Sequence, residues 1–205
     1  GTKTKYTSIS REHKSALLKT ALSHLEAARV LYRIHHSGAN GIPLRAEKKE
    51  RDFKLLFLDT GLMMRALGLN LIDLLEKGIM LVNKGALAEQ FIGQQWLNQY
   101  ESYTEPELFY WNREKGGTSS ELDYLFQIEG RIIPVEVKSG TTGTLKSLHV
   151  FASDKGADLG VRFNQDQPSL ADVVSRIPGR QEHPFKLVSL PLYLASETRR
   201  LIRSL

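Results

Sequence analysis

The sequence predicts an α/β protein in which a partial winged-helix segment, residues 1–58, precedes a sheet-bearing unit, residues 59–205. Three observations carry this reading. Leu17, Leu18, Ala21, Leu22 and Leu25 recur at helical spacing. RVLYRI and FKLLFLD read as strands on either side of a loop rich in turn formers. The stretch ELDYLFQIEGRIIPVEVKSG, residues 121–140, reads as a β-hairpin with Glu129-Gly130 as a two-residue turn.

The elements follow in order. Ser10 is positioned to cap a helix over about 11–28. Strand, long basic loop and return strand come next, with residues 37–52 as the wing, so this part reads as the second half of a winged helix. Arg11 and Lys14 on the helix, and Arg45, Lys48 and Lys49 in the wing, are candidate phosphate contacts. Protein docking is the alternative use of such a module. His35 and His36 read as loop residues, because no carboxylate stands beside them to complete a metal site.

Short helices are expected over 60–68 and 70–77, and a longer one over 84–100. On the longer helix Glu89 shares a sector with Ala86, Ile92, Gly93 and Trp96. An acid among apolar residues needs a partner, either a metal or a buried cation such as Lys138. ELFYWN, residues 107–112, reads as a strand. Arg113 and Lys115 in the next loop are further candidate backbone contacts. The GGTSS there lacks the Gly-Lys-Ser/Thr ending of a phosphate loop. In the hairpin, alternation places Leu122, Tyr124, Phe126 and Ile128 on one face, with Glu121, Asp123, Leu125 and Gln127 on the other. Beyond it, residues 141–144 are expected to cap a helix over 145–155 that starts near Lys146, another candidate contact. A strand over 158–164, a polar loop over 165–184, a last strand over 184–195 and a terminal helix capped by Ser196 complete the chain.

The hairpin holds the chemistry. A nearly all-apolar arm ends in two charges on one side, Glu136 and Lys138, and the other arm carries Asp123. Two carboxylates on neighbouring strands suit a hard cation, Mg²⁺ or Mn²⁺, with the Val137 carbonyl as a further oxygen. Such an ion activates water and neutralises a scissile phosphate. Lys138 is near enough to orient that water or to stabilise developing negative charge.

Composition sets limits. The 205 residues are 41% hydrophobic and 25% charged, without cysteine, which excludes disulfides, thiolate zinc sites and cysteine catalysis. No apolar run spans a membrane and no signal peptide is visible, so a cytoplasmic protein without membrane contact is expected. The net charge is +5, but residues 1–54 hold 12 basic against 5 acidic residues. That asymmetry suits a polyanion. The chain opens on Gly1, which reads as a tag remnant on a protein that extends upstream.

KLLFLDTGLM, GALAEQFIGQQ, ELFYWN, ELDYLF with IIPVEVKSG, and PLYLA follow the order of a known prokaryotic family. From about residue 5 to 195 the chain resembles the C-terminal domain of unknown function, number 4143 of that series, found in AAA-type ATPases. The hairpin also resembles the PD-(D/E)XK nuclease signature. The resemblance implies a restriction-endonuclease-like mixed sheet flanked by helices, and an upstream ATPase domain that alone would bind ATP. It places an acid on the first helix, an Asp on the next strand and Glu-x-Lys on the third, matching Glu89, Asp123, Glu136 and Lys138. Glu121 departs from it, standing where the family commonly has a small residue. DNA is the expected partner and homo-oligomerisation is left open. A Mg²⁺- or Mn²⁺-dependent DNA nuclease is one reading; a catalytically silent nucleic-acid-binding or docking module is the other.

Overall fold

The computed structural model describes residues 15–69, 84–113, 119–140 and 143–205. Helix α1 (Ser15–Ala27) leads into strands β1 (Leu31–Ser37) and β2 (Lys48–Phe57), with a 3₁₀ turn at Leu44–Glu47 between them. Helices α2 (Thr60–Ala66) and α3 (Lys84–Leu97) precede the meander β3 (Leu108–Arg113), β4 (Ser120–Ile128) and β5 (Arg131–Val137). Then come α4 (Lys146–Lys155), β6 (Leu159–Asn164), β7 (Ser169–Ser175), β8 (His183–Pro191), a 3₁₀ turn at Leu192–Glu197 and α5 (Thr198–Arg203).

Among the described residues the strands form one eight-stranded mixed sheet, ordered β2-β1-β3-β4-β5-β6-β8-β7. Its pairings are antiparallel except β1 with β3, β5 with β6, and β6 with β8. Each face carries a core. On one, Ala88, Ile92 and Trp96 of α3 pack with Ile34, Leu56, Tyr124, Phe126, Val135 and Val137. On the other, Leu148 and Phe151 of α4 pack with Phe109, Trp111, Leu122 and Leu125.

Local chemistry sets the element ends. Asp59 caps α2, its Oδ1 accepting from the Leu62 N–H at 2.7 Å. Gln90 of α3 donates to the Phe57 carbonyl at 2.8 Å and accepts from the Phe57 N–H at 3.0 Å, tying helix to strand end. Glu129 and Gly130 both have positive φ, 48° and 77°, as the expected hairpin turn requires.

Several expectations are corrected. The wing contracts to 38–47, because Lys48 and Lys49 already pair with Ser37 and His36. His35 and His36 are therefore buried strand residues, not loop residues. The polar stretch 165–184 contains β7, an edge strand paired antiparallel with β8. The last strand ends at Pro191 and gives way to a 3₁₀ turn, and α5 has Glu197, not Ser196, at its N-cap. Of the α1 stripe Leu22 is buried, whereas Leu17 is 58% exposed. The N-terminal strands join the same sheet and core as the later elements: β1 pairs with β3, and Leu56 packs with α3. The helix expected over 70–77 lies outside the described residues.

Candidate carboxylate site

The site begins with a break in strand alternation. Phe109 pairs with Leu125 but Trp111 pairs with Leu122, so β4 carries one extra residue opposite Tyr110. This is a β-bulge at Asp123-Tyr124. It corrects the regular alternation expected for β4: Leu122 joins the α4 core, whereas Tyr124, Phe126 and Ile128 join the α3 core. Bulges re-aim side chains, and here the re-aimed residue is Asp123.

The β4–β5 register runs from Ile128 with Arg131 to Tyr124 with Val135. One more step sets Asp123 opposite Glu136. There the Asp123 side chain replaces a backbone partner, its Oδ2 accepting from the Val137 N–H at 2.7 Å. Glu136 is 7% exposed. Its Oε1 accepts from Lys138 Nζ at 2.5 Å, while its buried Oε2 has no hydrogen-bond partner among the described residues. Lys138 is held just past β5, where its N–H donates to the Phe163 carbonyl at 2.8 Å. Burial and the neighbouring Asp123 push Glu136 up to about 7, against the pull of Lys138 and Lys54. Burial also raises Asp123, opposed by Lys54, the Val137 N–H and Lys138.

Glu89 approaches from α3. The Tyr124 hydroxyl donates to the Glu89 carbonyl at 2.8 Å. Gly93 lets the helix come this close, since a Cβ there would sit 2.4 Å from the Tyr124 oxygen. Glu89, Asp123, Lys54 and Tyr124 line one cavity of about 30 Å³, room for a single water-sized occupant. The structure thus brings Asp123 together with Glu136 and Lys138 on the hairpin, and Asp123 together with Glu89 around the cavity. Among the described residues no three His, Asp or Glu side chains gather closely enough to share one ion.

Lys54 is the site residue that sequence reasoning missed. It is 1% exposed, lies 2.6 Å from Glu121 Oε1, and sits 4.8 Å from the centre of the Tyr110 ring. Glu121, the departure from the family pattern, is therefore its ion-pair partner. The available signal was a lone charge inside the apolar run FKLLFLD.

The expected phosphate contacts are dispersed. Arg45 pairs with Glu107 at 3.0 Å and Lys48 with Glu50 at 3.1 Å, and both basic residues line a cleft of about 530 Å³ beside α1. Arg113 pairs with Asp154 at 2.8 Å, and Arg180 shares that carboxylate. Lys49 and Lys146 are exposed. Arg11, Lys14 and Lys115 lie outside the described residues. Among the described residues no helix is long and apolar enough to cross a membrane.

Residues 84–181 match the family model of a domain of unknown function, DUF4143, and residues 1–73 match that of another, DUF8612. No curated protein and no solved structure matches the chain.

Proposed function

We propose that this chain is a metal-dependent nuclease domain of the PD-(D/E)XK type, acting on DNA as the C-terminal part of an AAA-type ATPase. The observation that carries the reading is the hairpin end, where two facing carboxylates stand beside a lysine and a buried Glu136 oxygen lacks a partner among the described residues. The order α3, β3, β4, β5, α4, β6, with an acid on the helix, Asp on the meander and Glu-x-Lys on its last strand, supports the restriction-endonuclease-like reading. The ATPase context rests on the order of KLLFLDTGLM, GALAEQFIGQQ, ELFYWN and IIPVEVKSG along the chain.

The residues fit a hard cation. Two oxygen donors face one another, and burial raises both, with Asp123 adding to the rise at Glu136. Asp123 and Glu136 would hold Mg²⁺ or Mn²⁺; Glu89 lines the cavity beside Asp123 but does not gather with the pair into a three-carboxylate group. A cation bound there supplies Lewis acidity and a water of lowered pKa. Lys138, anchored on Glu136, orients that water or meets the charge growing on the phosphate. The basic N-terminal segment favours a polyanionic substrate, with Arg45, Lys48 and Lys49 as backbone contacts.

The test is Mn²⁺ titration calorimetry on the parent and on Asp123→Ala, followed by a cleavage screen on duplex, single-stranded and branched DNA. Binding is expected in the parent and lost in Asp123→Ala. Lys138→Met is expected to lower cleavage by about 10²–10³-fold, the usual cost of a lost charge stabiliser. Equal cleavage by parent and both variants would sink the assignment. One observation favours a second reading: Lys54 and Lys138 already offset the carboxylates from within, as a structural ion network would. A docking module of that kind would bind DNA in a salt-sensitive manner that survives loss of Asp123 and Glu136.

A further inference from the structure

We propose that Lys54 is the resident cation of the carboxylate site: a positioning residue, carried in by β2, that holds the Asp123–Glu136 pair and that an entering metal works against. The metal part of this inference rests on the nuclease reading; the charge part does not.

A fully buried ammonium needs anionic compensation. Glu121 supplies part of it, but its side chain is 37% exposed. The 2.6 Å contact is an ion pair without the direction of a good hydrogen bond, since Nζ has no hydrogen-bond partner among the described residues. The ammonium carries three donors. One side of it faces the Tyr110 ring, which favours a cation. Lys54 also lines the cavity that Asp123 and Glu89 share. The strand register explains the placement: Lys54 pairs with Ile34, and the neighbouring Leu56 on the same face packs against α3. The two halves of the arrangement match: a buried cation with incomplete compensation shares a cavity with Asp123, beside a Glu136 whose Oε2 lacks a hydrogen-bond partner among the described residues.

A lysine serving Glu121 alone would affect stability without reference to Asp123. A resident cation couples to Asp123 and opposes metal entry. Two measurements separate these. The first is urea unfolding without metal, in chelator, of the parent, Lys54→Met, Asp123→Asn and the double variant. Asp123→Asn is expected to raise the urea midpoint of Lys54→Met, because it removes the charge left uncompensated, while giving no such gain in the parent. Additive effects overturn the proposal. Should Lys54→Met fail to fold alone, its recovery in the Asp123→Asn background is the same coupling; failure in both backgrounds leaves the decision to Glu121→Gln in the Mn²⁺ titration, where affinity equal to the parent's overturns the proposal.

The second is Mn²⁺ titration. Lys54→Met is expected to bind about tenfold more tightly than the parent, since a like charge has gone from a poorly solvated site. Glu121→Gln, which frees the ammonium to turn to Asp123, is expected to weaken binding about threefold. Unchanged affinity in the variants overturns the proposal. Coupling in urea without Mn²⁺ binding by any variant supports Lys54 as the site's cation and removes the nuclease reading instead.

Discussion

Glu136 gives the site a pH-dependent contribution to stability. Burial, then Asp123, raise its folded-state pKa to about 7 from the ordinary 4.5. Between these values the native state holds a proton that the unfolded chain releases. Its contribution to stability therefore falls as pH rises through that window, by at most about 1.4 kcal/mol per unit. Burial lowers the pKa values of His35 and His149, whose contributions run the opposite way below 6.5, so the test is a difference: the urea midpoint of Glu136→Gln relative to the parent is expected to rise from pH 4.5 to 7.5. Asp123 is raised in the same direction, so part of the slope persists in that variant. A difference between Glu136→Gln and the parent that does not change with pH would contradict the arrangement. Metal binding should show the opposite trend, with Mn²⁺ affinity increasing through pH 7 as Glu136 ionises. Asp123, Glu136 and Lys138 were legible because a Glu-x-Lys pair and a two-residue turn are short-range features. Lys54 was not, because its partner Glu121 lies on another strand far along the chain, and nothing local links the two.

The junction of α3 with β4 depends on the absence of one methyl group. Gly93 faces the Tyr124 hydroxyl and Leu56, and a Cβ there would lie 2.4 Å from the oxygen and 2.8 Å from Leu56 Cδ1. Gly93→Ala gains about 1 kcal/mol in helix propensity. Overpacking costs about 1–3 kcal/mol and moves α3 away from the cavity that Glu89 and Asp123 line. Net destabilisation is expected in urea unfolding, with partial recovery in Gly93→Ala/Tyr124→Phe, which removes the clashing oxygen. An alanine variant as stable as the parent would mean the junction is loose. That Gly93 shares a helix sector with Glu89 was readable from the helical wheel. The bulge was not, because strand periodicity assumes one residue per partner, and β4 has two against Tyr110. β7 was missed for a different reason: its residues are mostly exposed, so Ser169–Ser175 carries little hydrophobic pattern and reads as polar loop.

The sheet runs through both matched regions. DUF8612 covers α1, β1, β2 and α2, while DUF4143 begins with α3 and continues through β7. β1 nevertheless pairs with β3, and Ile34 and Leu56 complete the core over α3. A sequence reading that looks for composition shifts separates residues 1–58, because their basic charge and turn-rich loop set them apart from the rest of the chain. Strand pairing across such a shift has no local mark. Removing 1–58 takes away two strands, turns β3 into an open edge, uncovers part of the α3 core and deletes Lys54. The fragment 59–205 is therefore expected to lack a cooperative urea transition by far-UV circular dichroism. A cooperative transition at the parent midpoint would instead identify the N-terminal hairpin as a separate module resting on the sheet. Lys54 refines the comparison. If the hairpin matters mainly as packing, Lys54→Met in the full chain should retain most of the parent's stability while 59–205 loses it. If its buried cation matters as much as its strands, the point variant should move a large part of the way towards the truncation.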